Sequence, residues 1–177
     1  MTKPHRTSYR FCPQCSASLE WRSEQEDGGD TFRWRCTQCS FTLWNNPTPV
    51  LAAIVEQDGH VLLARNAAWK GRMFALITGF MEAQESPEEG VAREVLEETA
   101  LEVQSCDLVA VHSFERMNQV IITYHVRTTG EVSLSPELAE YKWMKPEQIK
   151  CWPQGTGLAL AQWLRSRGIE PQWMGVR

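Results

Sequence analysis

Two groups of residues have types and spacings that could do chemistry. The first is a pair of C-x-x-C turns, Cys12-Pro-Gln-Cys15 and Cys36-Thr-Gln-Cys39, with residues 16–35 between them. Each turn presents two thiols to one point. The spacing lies in the zinc-ribbon range, where four thiolates surround a tetrahedral Zn²⁺. A disulfide pair or a redox dithiol would use the same residues; a reducing compartment favours the metal. The second group is acidic. Ser86-Pro87-Glu88-Glu89 opens a helix: serine caps it, proline takes the first helical position and Glu89 closes a capping box. Along the helix, Ala92, Val95, Leu96 and Thr99 fall on one face with Val91 at its margin. Glu94, Glu97 and Glu98 fall on the opposite face, with Gly90 among them. Such a face is either a solvated surface or the oxygen-ligand set of a hard cation. Glu94 and Glu98 are like charges one turn apart, and Glu98 lies where the helix dipole disfavours anions. Mg²⁺ would take these ligands, keep several waters and bridge to substrate phosphates. Arg93 precedes Glu97 by one turn and can orient it.

These residues need a scaffold. The chain has 177 residues, 42% hydrophobic and 23% charged, which excludes a disordered chain. Eighteen basic against 22 acidic side chains, a net charge of −4, speaks against a DNA-coating protein. The polar start, with Lys3, His5, Arg6 and Arg10, shows no apolar leader. No run is long and apolar enough for a membrane span, and a cytoplasmic setting is expected. Four of the six cysteines lie before residue 40, so two parts are expected: residues 1–47, then 48–177. In the first, Leu19, Trp21 and Thr31–Trp34 read as a hairpin with a charged tip, Glu24–Asp30. Its core is too small to stand alone, and the metal would supply the folding energy. Asn45–Pro49 reads as a linker. In the second part, Val50–Glu56 and His60–Arg65 read as strands joined at Gln57-Asp58-Gly59. Phe74–Ile77, Val103–Ser113, Gln119–Arg127 and Tyr141–Met144 are further strands. Pro146–Ile149 reads as one helical turn, and Gly157–Arg167 as an amphipathic helix with Leu160, Trp163 and Leu164 on one face. The mixture is α/β or α+β. Cys106 and Cys151 read as plain thiols.

Gly79, Glu85 and Arg93-Glu94-Val95-Leu96-Glu97-Glu98 stand at the spacing of G-x5-E-x7-R-E-U-x-E-E-x-G-U, with Val95 and Leu101 in the aliphatic places. This resembles the Nudix box, and the chain from about residue 48 onward is identified as a member of the Nudix hydrolase family. One position departs: Ala100 stands for the late glycine. An alanine in a left-handed cap costs about 1 kcal/mol, or the helix ends differently.

The resemblance implies an α/β/α sandwich around a mixed sheet, here preceded by a small β zinc ribbon. It implies Mg²⁺ or Mn²⁺ bound by Glu94, Glu97 and Glu98, with the backbone carbonyl of Thr78 as a further ligand. Glu85 would be a supporting carboxylate and Arg93 an orienter. The family reaction is hydrolysis of a nucleoside diphosphate linked to another group. Its general base is not fixed: Glu97, Glu98, Glu137 and Glu140 are candidates, and Glu140-Tyr-Lys-Trp143 resembles the family's E-x-x-W segment. Exposed loop carboxylates are the plain alternative for Glu137 and Glu140. A ribbon before such a domain, and Gly79-Phe80-Met-Glu82 at the box entry, resemble the NADH pyrophosphatase branch. Ser113–Gln119 lacks that branch's S-Q-P-W-P-F-P-x-S segment. NADH, NAD, FAD and ADP-ribose are therefore all expected substrate types. NAD-cap removal from RNA, or a non-catalytic sensor or adaptor module, are the alternatives. A homodimer is expected by analogy. Phe80, Phe114 and Trp69 are either base stackers or packing residues.

Overall fold

The structure is a computed structural model describing residues 9–175. The polar start up to residue 8 lies outside the described residues. The chain divides into two compact units, Met1–Asn46 and Pro47–Arg177.

In the first unit, strands β1 (Leu19–Glu26) and β2 (Gly29–Cys36) form an antiparallel hairpin, and β3 (Thr42–Leu43) adds to β2. Side chains alternate between the two faces. Leu19, Trp21, Phe32, Trp34 and Cys36 share one face, where Trp21 stacks on Phe32 at 6.1 Å. The other face is ionic. Arg33 forks onto Glu26 at 2.8 and 3.0 Å, and Arg35 reaches Glu24 at 3.1 Å and also contacts Glu26. The charged tip is therefore narrower than the sequence suggests. Glu24 and Glu26 belong to β1, where cross-strand arginines neutralise them, and only Asp27-Gly28 turn the chain.

The second unit is built on a mixed sheet. Its strands are β4 (Thr48–Gln57), β5 (His60–Asn66), β6 (Ile77–Phe80), β7 (Glu102–Phe114), β8 (Gln119–Thr129) and β9 (Leu138–Met144). The order is β7-β8-β4-β5-β9; β4 and β8 are parallel and the other pairs antiparallel. Asp58 and Gly59, both with positive φ, make the tight β4–β5 turn. β4 changes partner midway: Glu56 and Gln57 pair with β5, whereas Val50–Ala53 pair with β6. This corrects the third strand expected at Phe74–Ile77. Ala75 makes only an isolated bridge to Ala64, and the strand proper runs on through Gly79 to Phe80. Two short strands, β10 (Lys150–Cys151) and β11 (Gln172–Trp173), pair apart from the main sheet.

Both faces of the sheet are covered, so β4 reads as an unbroken apolar run. Helix α1 (Pro87–Thr99) packs Val91 and Val95 onto Leu51, Ala53, Val55 and Ile77. Helix α2 (Thr156–Ser166) packs Leu160 and Leu164 onto Ile54, Val61 and Leu63. This is the expected α/β/α sandwich. The phase of α1 differs slightly from expectation. Leu96, assigned to the core face, is 52% exposed, while Gly90, assigned to the acidic face, is buried. The helix docks through Val91, Val95 and Thr99. The turn before it covers Gly90, where an added Cβ would come within 2.5 Å of Leu51 Cδ1 and Glu85 Oε1.

Both ends of α1 follow local chemistry. Ser86 and Glu89 form the reciprocal capping box. At the other end Ala100 adopts φ 59°, ψ 13° and donates its N–H to the Leu96 carbonyl. The left-handed cap thus forms without glycine. Ala100→Gly should raise stability by about 1 kcal/mol, read as a higher denaturation midpoint with an unchanged slope.

On the α2 face, Glu56 is 8% exposed and accepts from Arg167 Nη1 at 2.7 Å and pairs with His125 Nε2 at 2.6 Å. Burial pushes this carboxyl up, but Arg167 and His125 bring it below the usual carboxylate range. Its contribution to stability is complete at neutral pH and lost as the native carboxylate protonates. Glu56→Ala should cost about 2–3 kcal/mol near pH 7, since it strands two partners. Thermal unfolding should show the gap from wild type closing below about pH 4.

Candidate metal centres and active site

In the first unit the four thiols of Cys12, Cys15, Cys36 and Cys39 lie within 4.8 Å of one another. Individual Sγ separations are 3.6 Å for Cys12–Cys39, 3.4 Å for Cys15–Cys36 and 3.6 Å for Cys15–Cys39. Four sulfurs about 2.3 Å from a tetrahedral Zn²⁺ would be roughly 3.8 Å apart, so the donor set suits that ion. The N–H groups of Gln38 and Cys39 point at Cys36 Sγ at 3.3 and 3.4 Å, and that of Gln14 at Cys12 Sγ at 3.4 Å. Such donors stabilise thiolates: the Gln38 N–H, working against burial, draws the Cys36 thiol down.

In the second unit, β6 and α1 bring the carboxylates together around Arg93. Its Nε and Nη2 fork onto Glu85 at 3.0 and 2.9 Å, and its Nη1 bridges Glu94 at 2.9 Å and Glu97 at 3.0 Å. Glu85 also accepts the Glu82 N–H at 2.6 Å, a contact that ties the turn before α1 to the helix. Arg93, with this N–H, holds Glu85 below the usual carboxylate range. The glycine at 79 has a steric reason. A Cβ there would fall 1.8 Å from Glu94 Cδ, so only glycine lets this carboxylate lie against β6. Gly79→Ala should expel Glu94 and cut metal affinity about 10- to 100-fold, measurable by Mn²⁺ titration.

The cleft so formed has a volume of about 480 Å³ and is lined by Thr78, Gly79, Glu94, Glu97, Glu98 and Glu137. Val50, Phe80, Glu82, Arg93 and Gln119 complete its wall. Burial pushes Glu98 up to about 7, helped by the charges of Glu94, Glu137 and Glu97. Burial raises Glu94 as well. A set of carboxylates that disfavours its own ionisation is suited to a divalent cation, whose charge would reverse both shifts. Among the described residues the four cysteine thiols are the one group of three or more candidate ligand atoms gathered within 4.8 Å.

The loop between β8 and β9 is clamped to the end of α1. Ser133 and Ser135 donate their N–H groups to the carbonyls of Thr99 and Glu98. Ser135 Oγ accepts the Glu137 N–H at 3.3 Å, and the Glu137 carbonyl accepts the Ala67 N–H. Glu137 is thereby brought to the cleft. Glu140, expected among the catalytic residues, is not one of the residues that line it. It lies opposite Arg65 of β5 and pairs with it at 3.0 Å. Of the three aromatic candidates, only Phe80, 59% exposed, lines the cleft. Phe114 packs against Val50, Ala52 and Ile121, and Trp69 is not among the lining residues. Gln119 had no signal in the sequence; it reaches the cleft because β8 starts beside Thr48 of β4.

Residues 46–165 match the NUDIX domain family. The chain belongs to the NUDIX family. Relatives include the NAD-capped RNA hydrolases NudC of Pseudomonas putida and Vibrio vulnificus. The first is 25% identical, matching 85% of this chain and 53% of the relative; the second is 29% identical, matching 79% and 52%. The chain thus spans about half the length of these curated relatives. A NUDIX hydrolase from Nitrosomonas europaea superposes with a TM-score of 0.73 at 26% identity, over 94% of this chain and 97% of that one. An ADP-ribose pyrophosphatase from Streptococcus suis, 20% identical with a TM-score of 0.58, covers 73% of this chain and 97% of its own and shares the fold.

Proposed function

We propose that this NUDIX chain hydrolyses the pyrophosphate bond of a nucleoside diphosphate derivative: NADH, NAD, FAD or ADP-ribose. The observation that carries the reading is the cleft in which Arg93 orders Glu85, Glu94 and Glu97 beside Glu98. Glu94, Glu97 and Glu98, with the Thr78 carbonyl, would hold Mg²⁺ or Mn²⁺. Such a cation would supply positive charge against the pyrophosphate and lower the pKa of a bound water. Arg93 would hold Glu94 and Glu97 side by side at the cleft wall, and Glu85 would fix Arg93. Glu137, which lines the cleft, would take the proton of the attacking water, and Phe80 would stack on a flat ring of the substrate. Residues 1–47 act as a Zn²⁺-stapled ribbon through Cys12, Cys15, Cys36 and Cys39, and residues 48–177 as the hydrolase domain. The working setting is the cytoplasm and the working form a homodimer. No helix among the described residues is long and apolar enough to cross a membrane.

The name carried by the relatives favours a second reading, removal of an NAD cap from RNA by the same chemistry. Incubation with Mg²⁺ or Mn²⁺ and NADH, NAD, FAD, ADP-ribose or NAD-capped RNA tests both. Mononucleotide products from the small dinucleotides support the first reading, and release of the cap alone supports the second. No product from any of them with folded, metal-loaded protein would leave only a sensor or adaptor role, which the complete glutamate set disfavours.

A further inference from the structure

A second cavity, of about 470 Å³, lies on the α2 side of the sheet and shares no residue with the carboxylate cleft. Its floor is Leu63, 3% exposed. Its walls are Phe74 and the methionines Met73, Met144 and Met174. Methionine side chains adapt to ligands of varied shape, and the volume falls in the range of small-molecule sites. The rim has one sign of charge: Arg72, Lys142 and Lys150 line the opening, and no carboxylate does. Lys142 Nζ sits 4.2 Å over the Phe74 ring, so its charge is held at the apolar wall.

Ion pairing divides the cations of the described residues into two groups. Arg22, Arg33, Arg35, Arg65, Arg93 and Arg167 are each within 3.0 or 3.1 Å of a glutamate. Arg72, Lys142 and Lys150, like Arg10, Lys70, Arg116, Arg127, Lys145 and Arg165, have no ion pair among the described residues, but these three gather around one apolar hollow. In a chain with a net charge of −4, three uncompensated cations around an apolar hollow complement one kind of ligand.

We infer that this cavity binds a small amphiphilic anion. The apolar body of the ligand, aromatic or aliphatic, sits against Phe74 and the methionines, and its acidic head meets Arg72, Lys142 and Lys150. The site is separate from the proposed hydrolase centre and does not depend on that reading.

Titration of the full chain with 1-anilinonaphthalene-8-sulfonate, an aromatic sulfonate that fluoresces when sheltered from water, tests the assignment. Saturable one-to-one binding is expected. The Arg72→Glu, Lys150→Glu double variant, changed only at exposed positions, should bind about tenfold more weakly. It should retain the affinity of wild type for uncharged N-phenyl-1-naphthylamine. Methyl NMR should show dye-induced shifts at Met73, Met144 and Met174 and none at Met81 or Met117. Octanoate or indole-3-acetate should displace the dye, and which of the two competes better tells an aliphatic from an aromatic ligand. Unsaturable binding, equal sulfonate affinity in the double variant, shifts at Met81 or Met117 instead, or displacement by neither acid would overturn the assignment.

Discussion

Glu98→Gln is expected to lower kcat by about three orders of magnitude, roughly 4 kcal/mol of transition-state stabilisation, without unfolding the protein. The substitution keeps shape and removes the negative charge that a cation would need. Glu98 is also a liability to the metal-free fold. Burial and three neighbouring carboxylates raise its pKa to about 7, so the native state binds its proton more tightly than the unfolded chain does. Stability of the metal-free protein should therefore fall as pH rises from about 4 to about 7. Glu98→Gln should flatten that slope, and Mg²⁺ should restore wild-type stability on the alkaline side. Steady-state assays and thermal unfolding with and without Mg²⁺ check the two halves separately. Unchanged turnover in the variant would remove Glu98 from the metal site.

Cys15→Ser should have the larger effect on structure. Among the described residues of the first unit the buried apolar cluster is Cys12, Leu19 and Cys36, with Ala17, Trp34, Cys39 and Phe41 half-buried against it, and three of these seven are thiol donors themselves. The hairpin cannot repay its chain entropy from that area. Structural zinc contributes about 10–16 kcal/mol in ribbons and fingers of this size. Losing one of four thiolates should release Zn²⁺ and abolish the near-ultraviolet signal of the Trp21–Trp34 pair, whose rings lie 5.7 Å apart. The second unit has its own two cores flanking the sheet and should keep its cooperative unfolding. Metal analysis and near-ultraviolet circular dichroism read this directly. Stoichiometric zinc in the variant would mean that the ribbon is not held by these four thiols.

The features legible in the sequence are those set by neighbours in the chain. Ser86, Pro87 and Glu89 start α1, and Asp58-Gly59 turns β4 into β5, through contacts a few residues long. The spacing from Gly79 to Glu98 carries most of the cleft for the same reason: one strand end, one turn and one helix hold all but Val50, Gln119 and Glu137 of its lining. What was not legible depends on docking. Helical periodicity cannot say how far α1 rotates against the sheet, so Leu96 and Gly90 exchanged roles. Strand propensity favoured Phe74–Ile77, but the partner available on β4 lies opposite Ile77–Phe80. Glu137 and Glu140 look alike in sequence. Only the clamp of Ser133 and Ser135 on α1, and the register that sets Glu140 against Arg65, separate them. Gly79 is the intermediate case: its motif position is plain, but its reason, the Glu94 carboxylate lying against it, appears only in three dimensions.

The most direct test of the central claim is hydrolysis of ADP-ribose by the purified, zinc-loaded chain, followed by chromatography with Mn²⁺ present and with it omitted. Cleavage by metal held at Glu94, Glu97 and Glu98 predicts AMP and ribose 5-phosphate only when Mn²⁺ is present, with an NADH reaction behaving the same way. Products formed equally well without added divalent cation, or none from either substrate with Mn²⁺ bound, would contradict it.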